Sequence, residues 1–246
     1  MARTTGSRRG TQRAALVLDI RRSARELLAA EGKAGVTLRP IAKAVGLTAP
    51  ALYRYYDSRE SLLLDLVADL YDELAETMER ARDEHPAEDF PARFGALVWA
   101  FREWSCAHPH EFELVFATPV DLSGVEEESR LEACTERFGA AFYGLFLQLW
   151  AAAPFPVPAD EDIDPTLLEQ LRTWKADEDP LPLGALSVYV SCWVRIYGLI
   201  SLEVFGQLRF ALTDIGPMYH LMLTDLGTVL GLKTAPHPAA SPEDGG

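Results

Sequence analysis

Aromatic and basic side chains are concentrated between Thr37 and Leu63, in the stretch TLRPIAKAVGLTAPALYRYYDSRESLL. Three tyrosines and one arginine fall within the four residues 53–56. Tyrosine and arginine side chains are long enough to reach phosphates and base edges, and they commonly hydrogen-bond to both. The chemistry that this stretch predicts is therefore nucleic-acid recognition.

Two short helices must present these side chains. Thr37 can cap a first helix that has Pro40 in its first turn, and Gly46 ends that helix. Thr48 can cap a second helix, predicted to run from Ala49 to Tyr55, which has Pro50 in its first turn. Two short helices joined by a turn that contains glycine are typical of a helix-turn-helix, whose second helix enters the major groove of DNA.

The predicted DNA contacts are of three kinds. Backbone N–H groups at the two helix starts can bind phosphate, small residues on the second helix permit close approach, and long polar side chains reach bases or phosphates. Among the long side chains, the arginine in the first turn of the first helix can reach a guanine edge. The full set is Thr37, Arg39, Lys43, Thr48, Ala49, Pro50, Ala51, Tyr53, Arg54, Tyr55 and Arg59.

The spacing T-x-x-x-I-A-x-x-x-G-x-x-x-x-x-L-Y-x-Y-Y-x-S-R-E-x-L resembles the N-terminal domain of the TetR family of bacterial transcriptional regulators, over about residues 12–66. The resemblance implies an all-α homodimer with a three-helix DNA-binding domain, a connecting fourth helix and a helical ligand-binding body. It also implies DNA contacts by Thr48, Ala49, Ala51, Tyr53 and Tyr55, and a phosphate contact by Arg59. The family more often has lysine at position 59 and phenylalanine at position 56.

Charge is divided unevenly along the chain. Residues 1–60 carry 12 Lys+Arg and 5 Asp+Glu, a net of +7. Residues 61–246 carry 11 Lys+Arg and 32 Asp+Glu, a net of −21, so that the whole chain has a net charge of −14. A basic head can approach a polyanion while an acidic body is repelled from it, which agrees with DNA binding by the N-terminal segment.

Hydrophobic periodicity predicts an all-α fold of about 9–10 helices without a sheet. The predicted organisation is a disordered basic arm (1–11), a helix-turn-helix domain (12–57), a helical ligand-binding and dimerisation domain (58–232) and a disordered tail (233–246). A long helix should start near Ser58 and run to about Asp83, and residues 85–91 should form a break before the next helix.

Two tasks are predicted for the body. Its aromatic residues exceed what a helical core needs, and some should line an apolar effector site between helices 4 and 8; the candidates are Trp99, Trp104, Phe112, Phe116, Phe138, Phe142, Phe146, Tyr189 and Trp193. Its last two helices should form a four-helix dimer interface, with candidates Val190, Val194, Tyr197, Ile200, Val204, Met218, Met222 and Leu226. The segment around Trp193 and Tyr197-Gly198 also has a weaker similarity to a C-terminal class with a Trp…His-Gly motif, with tyrosine in place of the histidine.

Other function classes find no support in the sequence. There is no nucleotide-binding loop and no nucleophile motif, so we expect no enzymatic activity, no catalytic residues and no cofactor. The H-x-H-E-x-E segment from His108 does not put metal ligands on one helix face, and we predict no metal site. Three widely spaced cysteines, no signal sequence and no uncharged run of 18 apolar residues indicate a cytoplasmic protein outside the membrane.

The expected function is that of a ligand-responsive DNA-binding regulator, a repressor that is released by a small apolar effector. The alternative is an apolar-ligand carrier without a DNA role. The residues do not distinguish a repressor from an activator.

Overall fold

The computed structural model describes residues 4–117 and 128–232, and it contains no strand within these ranges. The predicted all-α fold is confirmed. The α-helices are α1 (Thr4–Gly35), α2 (Leu38–Ala44), α3 (Ala49–Leu52), α4 (Arg59–Asp83), α5 (Phe90–Ala107), α6 (Pro109–Phe112), α7 (Glu128–Ala152), α8 (Pro165–Trp174), α9 (Leu183–Val204) and α10 (Gly216–Val229). A π-helix (Glu113–Ala117) follows α6, and a 3₁₀ turn (Asp160–Asp162) precedes α8. The predicted disordered tail, 233–246, lies outside the described residues.

Helix α1 begins at Thr4, so the prediction of a disordered arm over residues 1–11 is wrong from Thr4 onward. Glycine is the only strong helix breaker in that part of the chain. Gly6 and Gly10 each cost only about 1 kcal/mol in a helix that continues on its C-terminal side. The regular part of α1 ends at Gly32, whose φ of 69° is a left-handed conformation that glycine adopts without strain.

Helix α5 begins at Phe90, inside the break predicted for residues 85–91. Asp89 caps it, because its carboxylate accepts a hydrogen bond from the backbone N–H of Ala92 at 3.1 Å. Pro91 lies in the first turn, where backbone N–H groups have no partner within the helix, so the missing N–H of proline costs no hydrogen bond. The proline therefore marks the start of the helix, and this start brings Phe90 into regular structure.

The described residues divide into two compact units, the first formed by residues 4–74, 107–117 and 128–138 and the second by residues 75–106 and 139–232. The core of the first unit is aliphatic around α1–α4, and several of its largest fully buried side chains are leucines and isoleucines: Ile20, Leu28, Ile41, Leu52, Leu62, Leu66 and Leu70. Beside them, Tyr71 packs against the rings of Phe116 and Phe138 at centroid distances of 5.7 and 5.5 Å.

Three carboxylates on one side of α4, Asp65, Asp69 and Glu73, form what we call the α4 acidic face. They are spaced four residues apart and therefore lie on adjacent turns. Arg21 of α1 hydrogen-bonds to Asp69 at 2.9 Å, and Arg130 of α7 hydrogen-bonds to Asp65 at 3.0 Å and also to Asp69. These charge-assisted contacts join three helices of the first unit.

Further contacts are made at both ends of the α4 acidic face. The hydroxyl of Tyr56 is buried and donates a hydrogen bond to Asp65 at 2.7 Å, which attaches the segment after α3 to α4. Arg25 of α1 hydrogen-bonds to Glu73 and lies 3.7 Å from the buried carboxylate of Glu111 in α6. The hydrogen bonding of Arg25 to the Glu73 carboxylate, in which the guanidinium donates, is the main cause that raises the pKa of Arg25 above its usual value.

The second unit has an aromatic core. Phe101 of α5 stacks on Trp193 of α9 at 5.9 Å, and Tyr219 of α10 is fully buried and donates its hydroxyl to the carbonyl of Val98 at 2.7 Å. Arg102 pairs with Glu203 and lies over the ring of Tyr219. Helix α9 is long and apolar enough to cross a membrane by length and composition alone, a test that core helices of soluble proteins also pass.

Arg59, the first residue of α4, fixes the loop between α1 and α2. Its Nε donates a hydrogen bond to the carbonyl of Val36 at 2.6 Å, and a terminal nitrogen donates to the carbonyl of Lys33. These two carbonyls follow the end of the regular α1 helix, so that the guanidinium satisfies acceptors that the helix ladder leaves open.

Replacing Arg59 by alanine should therefore destabilise the protein. We expect the free energy of unfolding to fall by about 1–3 kcal/mol, because two charge-assisted hydrogen bonds to backbone carbonyls are lost. Urea denaturation followed by circular dichroism measures the change. Lys43→Ala, which removes an exposed cation of α2, is the matched control and should change the free energy by less than about 0.5 kcal/mol. Equal stability of the two variants would show that Arg59 does not brace the loop.

Candidate nucleic-acid interface and effector cavity

The recognition segment consists of α3 and the hydrogen-bonded turn that follows it. The regular helix ends at Leu52, earlier than the predicted Tyr55, and the backbone N–H groups of Tyr55 and Tyr56 both donate to the carbonyl of Leu52. Leu52 and Tyr56 are buried, while the side chain of Tyr53 between them is 52 % exposed. The burial of the two flanking residues therefore fixes the outward direction of Tyr53.

The predicted DNA contacts other than Arg59 have side chains that are exposed or half-buried. Those on the surface are Thr37, Arg39, Lys43, Thr48, Pro50, Tyr53 and Arg54, and those that are half-buried are Ala49, Ala51 and Tyr55. Thr48 caps α3 as predicted, since its hydroxyl accepts a hydrogen bond from the N–H of Ala51 at 3.3 Å. Thr37 precedes α2 without a side-chain capping bond.

The turn between α2 and α3 depends on Gly46. Its φ is 71°, in the left-handed region that favours glycine, and the N–H of Leu47 donates to the carbonyl of Ala42 at 2.8 Å. This bond closes the end of α2 and sets the direction in which α3 begins. The sequence therefore identified correctly the residue at which the first of the two helices is broken.

Arg59 is the predicted contact that the structure uses differently. Its guanidinium is held by the carbonyls of Val36 and Lys33, and its remaining nitrogen lies 3.6 Å from the carboxylate of Glu60. The prediction of a phosphate contact treated it as an exposed cation at a helix start. The side chain instead reaches back to the preceding loop, where open carbonyl acceptors attract it.

Arg13 is a neighbour of the recognition segment that the sequence did not single out. Its guanidinium donates to the carbonyl of Arg54 at 3.4 Å and lies 5.5 Å from the centre of the Tyr55 ring. It adds a further positive charge beside the recognition segment. The sequence indicated Arg13 only through the basic character of residues 1–60. Its contact with Arg54 is 41 residues away along the chain and therefore leaves no local pattern.

The second unit contains an apolar cavity of about 30 Å³. Its walls come from α5, α7 and α9 and from Leu230 at the end of α10, so it extends beyond the helices 4 to 8 named in the prediction. The lining residues are Phe90, Phe94, Phe142, Leu145, Phe146, Leu149, Tyr189, Cys192, Trp193, Ile196 and Leu230. The volume corresponds to about one water molecule, much smaller than a typical ligand site.

Four of the nine residues predicted to line an effector site surround this cavity: Phe142, Phe146, Tyr189 and Trp193. Trp99 and Trp104 belong to the same unit but are not among the lining residues; the indole of Trp99 donates to Glu103 and packs edge-on against Tyr219. The remaining three, Phe112, Phe116 and Phe138, form an aromatic cluster with Tyr71 in the first unit. Sequence periodicity cannot separate core rings from cavity rings, because both lie on the apolar face of a helix.

The cavity residues that the sequence missed are Phe90, Phe94, Leu145, Leu149, Cys192, Ile196 and Leu230. A signal for the first two was present, since Asp89 followed by Phe-Pro is a helix start that would have put Phe90 and Phe94 on one face. The aliphatic residues carried no distinguishing signal.

Burial determines the electrostatics of the cavity wall. It raises the pKa of the Cys192 thiol to about 11 and that of the Tyr189 hydroxyl to about 12. Both groups therefore remain neutral at physiological pH, and the wall disfavours negative charge.

The predicted dimer residues divide into two groups. Val194 and Met218 are exposed, and Val190, Tyr197, Val204 and Met222 are half-buried. Ile200 and Leu226 are buried within their own unit, so the prediction that they form an intermolecular surface is wrong for this conformation. Both helices carry apolar residues on several faces, and a pattern of this kind does not tell which face turns inward.

Comparisons with known proteins identify both parts of the chain. The family model described as "Bacterial regulatory proteins, tetR family" matches residues 20–66, and the model described as "Tetracyclin repressor-like, C-terminal domain" matches residues 94–226. HTH-type transcriptional regulator Rv1816 of Mycobacterium tuberculosis is 32% identical over 213 residues, which are 85% of this chain and 85% of that protein. HTH-type transcriptional regulator Mb1846 of Mycobacterium bovis matches with the same figures.

Solved structures have the same fold. The regulatory protein SCO4313 is 27% identical, with a TM-score of 0.68 over 88% of this chain and 97% of its own. FadR of Bacillus subtilis, solved in complex with stearoyl-CoA, is 14% identical with a TM-score of 0.51 over 89% of this chain and 99% of its own, a likeness of fold alone. Together with the helix-turn-helix geometry, these matches show that the chain belongs to the TetR family of bacterial transcriptional regulators.

Proposed function

We propose that this protein is a ligand-responsive repressor that binds a palindromic operator as a homodimer in the cytoplasm and is released by a small apolar effector. The observation that carries the proposal is the recognition segment, in which buried Leu52 and Tyr56 hold Tyr53 and Arg54 outward. Arg39 and Lys43 add exposed positive charge on the preceding helix. Exposed tyrosine and arginine side chains on a basic head are suited to the phosphates and base edges of a major groove.

The dimer is supported by the apolar surface of α9 and α10. Val194, Leu202, Met218, Leu221 and Val229 are large apolar side chains with exposed fractions between 37 and 61 %. Several exposed apolar side chains on neighbouring helices commonly indicate a protein–protein interface. A two-fold dimer presents two recognition segments, so its operator should be a palindrome with half-sites about one helical turn apart.

The release step is supported by the cavity. The apolar cavity of the second unit is the candidate effector site, and it must enlarge to hold a ligand. FadR of Bacillus subtilis, which has the same fold, was solved in complex with stearoyl-CoA. An effector that binds better to the conformation that is poorly suited to DNA shifts the population toward that conformation.

Loss of exposed side chains from the recognition segment should weaken DNA binding without changing stability. We expect Tyr53→Ala and Arg39→Ala each to reduce affinity by about 5- to 150-fold, since each removes a contact worth about 1–3 kcal/mol. The measurement is a mobility-shift titration on DNA selected from a random pool by the wild-type protein, with thermal melting in parallel.

Arg80→Ala is the matched control for this titration, because Arg80 is an exposed arginine of α4 that pairs with Glu76 of the same helix at 3.1 Å. It should retain wild-type affinity. Unchanged binding by both Tyr53→Ala and Arg39→Ala would refute the assignment of the recognition segment. Failure of the wild type to select any DNA would favour the apolar-ligand carrier instead.

A charge placed on the apolar surface of α9 or α10 should disrupt the dimer. We expect Val194→Glu and Leu221→Glu to sediment as monomers at concentrations where the wild type is a dimer, because a buried unpaired carboxylate opposes association. Sedimentation velocity measures the outcome. Leu167→Glu, on an exposed leucine of α8, is the control and should remain dimeric. A monomeric wild type, or dimers in both variants, would contradict the assignment.

A further inference from the structure

The cavity of the second unit is dominated by aromatic rings. Six of its eleven lining residues are aromatic, and two pairs meet edge to face: Phe142 with Trp193 at 5.4 Å and Phe146 with Tyr189 at 5.3 Å. Rings in this arrangement can accept a further planar ring by stacking or by edge-to-face contact, which stabilises more than area burial alone. A flexible alkyl chain gains no such contact.

No charged side chain lines the cavity. The nearby cations of this unit are already occupied or exposed: Arg93 hydrogen-bonds to Gln148 at 2.9 Å and lies 3.7 Å from Asp83, and Arg102 is paired with Glu203. Arg195 is exposed and only partly offsets the effect of burial on the Cys192 thiol. An anionic ligand would therefore lose its hydration without gaining a counter-charge.

The present volume of about 30 Å³ is too small for a ring, since a cavity that admits benzene measures about 150 Å³. The lining residues differ in how easily they can move. Phe90, Phe94, Tyr189 and Trp193 are half-buried, whereas the other seven are buried. Rotation of the half-buried rings toward solvent would open the cavity with the least loss of packing. A guest of one or two rings needs the smallest enlargement.

Tyr189 is a lining residue whose side chain carries a hydroxyl. Its ring contacts Phe146, Tyr143 and Trp174, and its hydroxyl makes no hydrogen bond within residues 4–117 and 128–232. The hydroxyl can therefore donate to or accept from a ligand without breaking an existing bond.

We propose that the effector is an uncharged aromatic compound of one or two rings with a hydrogen-bonding group that meets the hydroxyl of Tyr189. This rests on the proposed function, because it assigns the chemistry of the molecule that releases the DNA. It excludes carboxylates and acyl thioesters of coenzyme A from this cavity, in contrast to the ligand held by FadR of Bacillus subtilis.

Equilibrium dialysis of the full-length protein at pH 7 tests the inference with four probes: naphthalene, 2-naphthol, 2-naphthoate and decanoate. The first three share a ring system and differ in polarity and charge. We expect naphthalene and 2-naphthol to bind, and 2-naphthoate and decanoate to bind at least tenfold more weakly than 2-naphthol, since a carboxylate is ionised at this pH.

Variants then test the hydroxyl. Tyr189→Phe should weaken 2-naphthol by about fivefold, as expected for one hydrogen bond, and leave naphthalene unchanged. Tyr71→Phe removes the same hydroxyl in the aromatic cluster of the first unit; it is the matched control and should leave both probes unchanged. The phenylalanine variants keep the ring, so that loss of folding does not confuse the result.

Several results would overturn the inference: tighter binding of 2-naphthoate or decanoate than of 2-naphthol, no binding of either neutral probe, or equal loss of naphthalene and 2-naphthol in Tyr189→Phe. A mobility-shift assay on selected DNA, run without probe on the same preparations, distinguishes failure of the effector assignment from failure of the proposed function. Protein that binds DNA but not neutral aromatics contradicts the effector class alone, whereas protein that binds no DNA contradicts the proposed function.

Discussion

Pairing of charge on the α4 acidic face is the constraint on which the first unit depends. Its carboxylates are partly buried and receive arginines from α1 and α7, and the tyrosine after the recognition segment donates to the same face. Removing one partner would leave a poorly hydrated charge uncompensated, which costs much more than a surface ion pair contributes. The orientation of the recognition segment thus follows from electrostatic pairing as well as from the aliphatic core beneath it.

The head could be predicted from sequence because its signals are local. Caps, first-turn prolines and Gly46 act within a few residues, and they place the exposed tyrosine and arginine correctly. The role of Arg59 could not be read in this way, since the carbonyls that bind it lie 23 and 26 positions earlier. The same holds for Arg21 and Arg25, whose carboxylate partners are 48 residues away and whose positions off the apolar stripe look like ordinary solvated surface.

The all-α fold class of the body could be predicted from the sequence, but the positions of its individual side chains could not. Its helices and their apolar character follow from periodicity, but a ring next to a void and a ring in a packed core carry the same sequence pattern. Four predicted rings surround the cavity, while Phe112, Phe116 and Phe138 pack in the other unit. Buried Ile200 and exposed Val194 illustrate the same ambiguity on α9. Helix rotation, which only the three-dimensional packing fixes, decides between these outcomes.

Ionic strength should affect the two charge systems of the head differently. Pairs on the α4 acidic face are partly shielded from solvent, and mobile ions screen such pairs less than fully exposed ones. Contacts between exposed cations and phosphates instead depend on the release of condensed counterions, and their affinity falls linearly with the logarithm of the salt concentration. A head bound to DNA would therefore dissociate as the salt concentration rises while it remains folded. The slope of the logarithm of affinity against the logarithm of salt concentration then reports the number of phosphate contacts and is not a measure of unfolding.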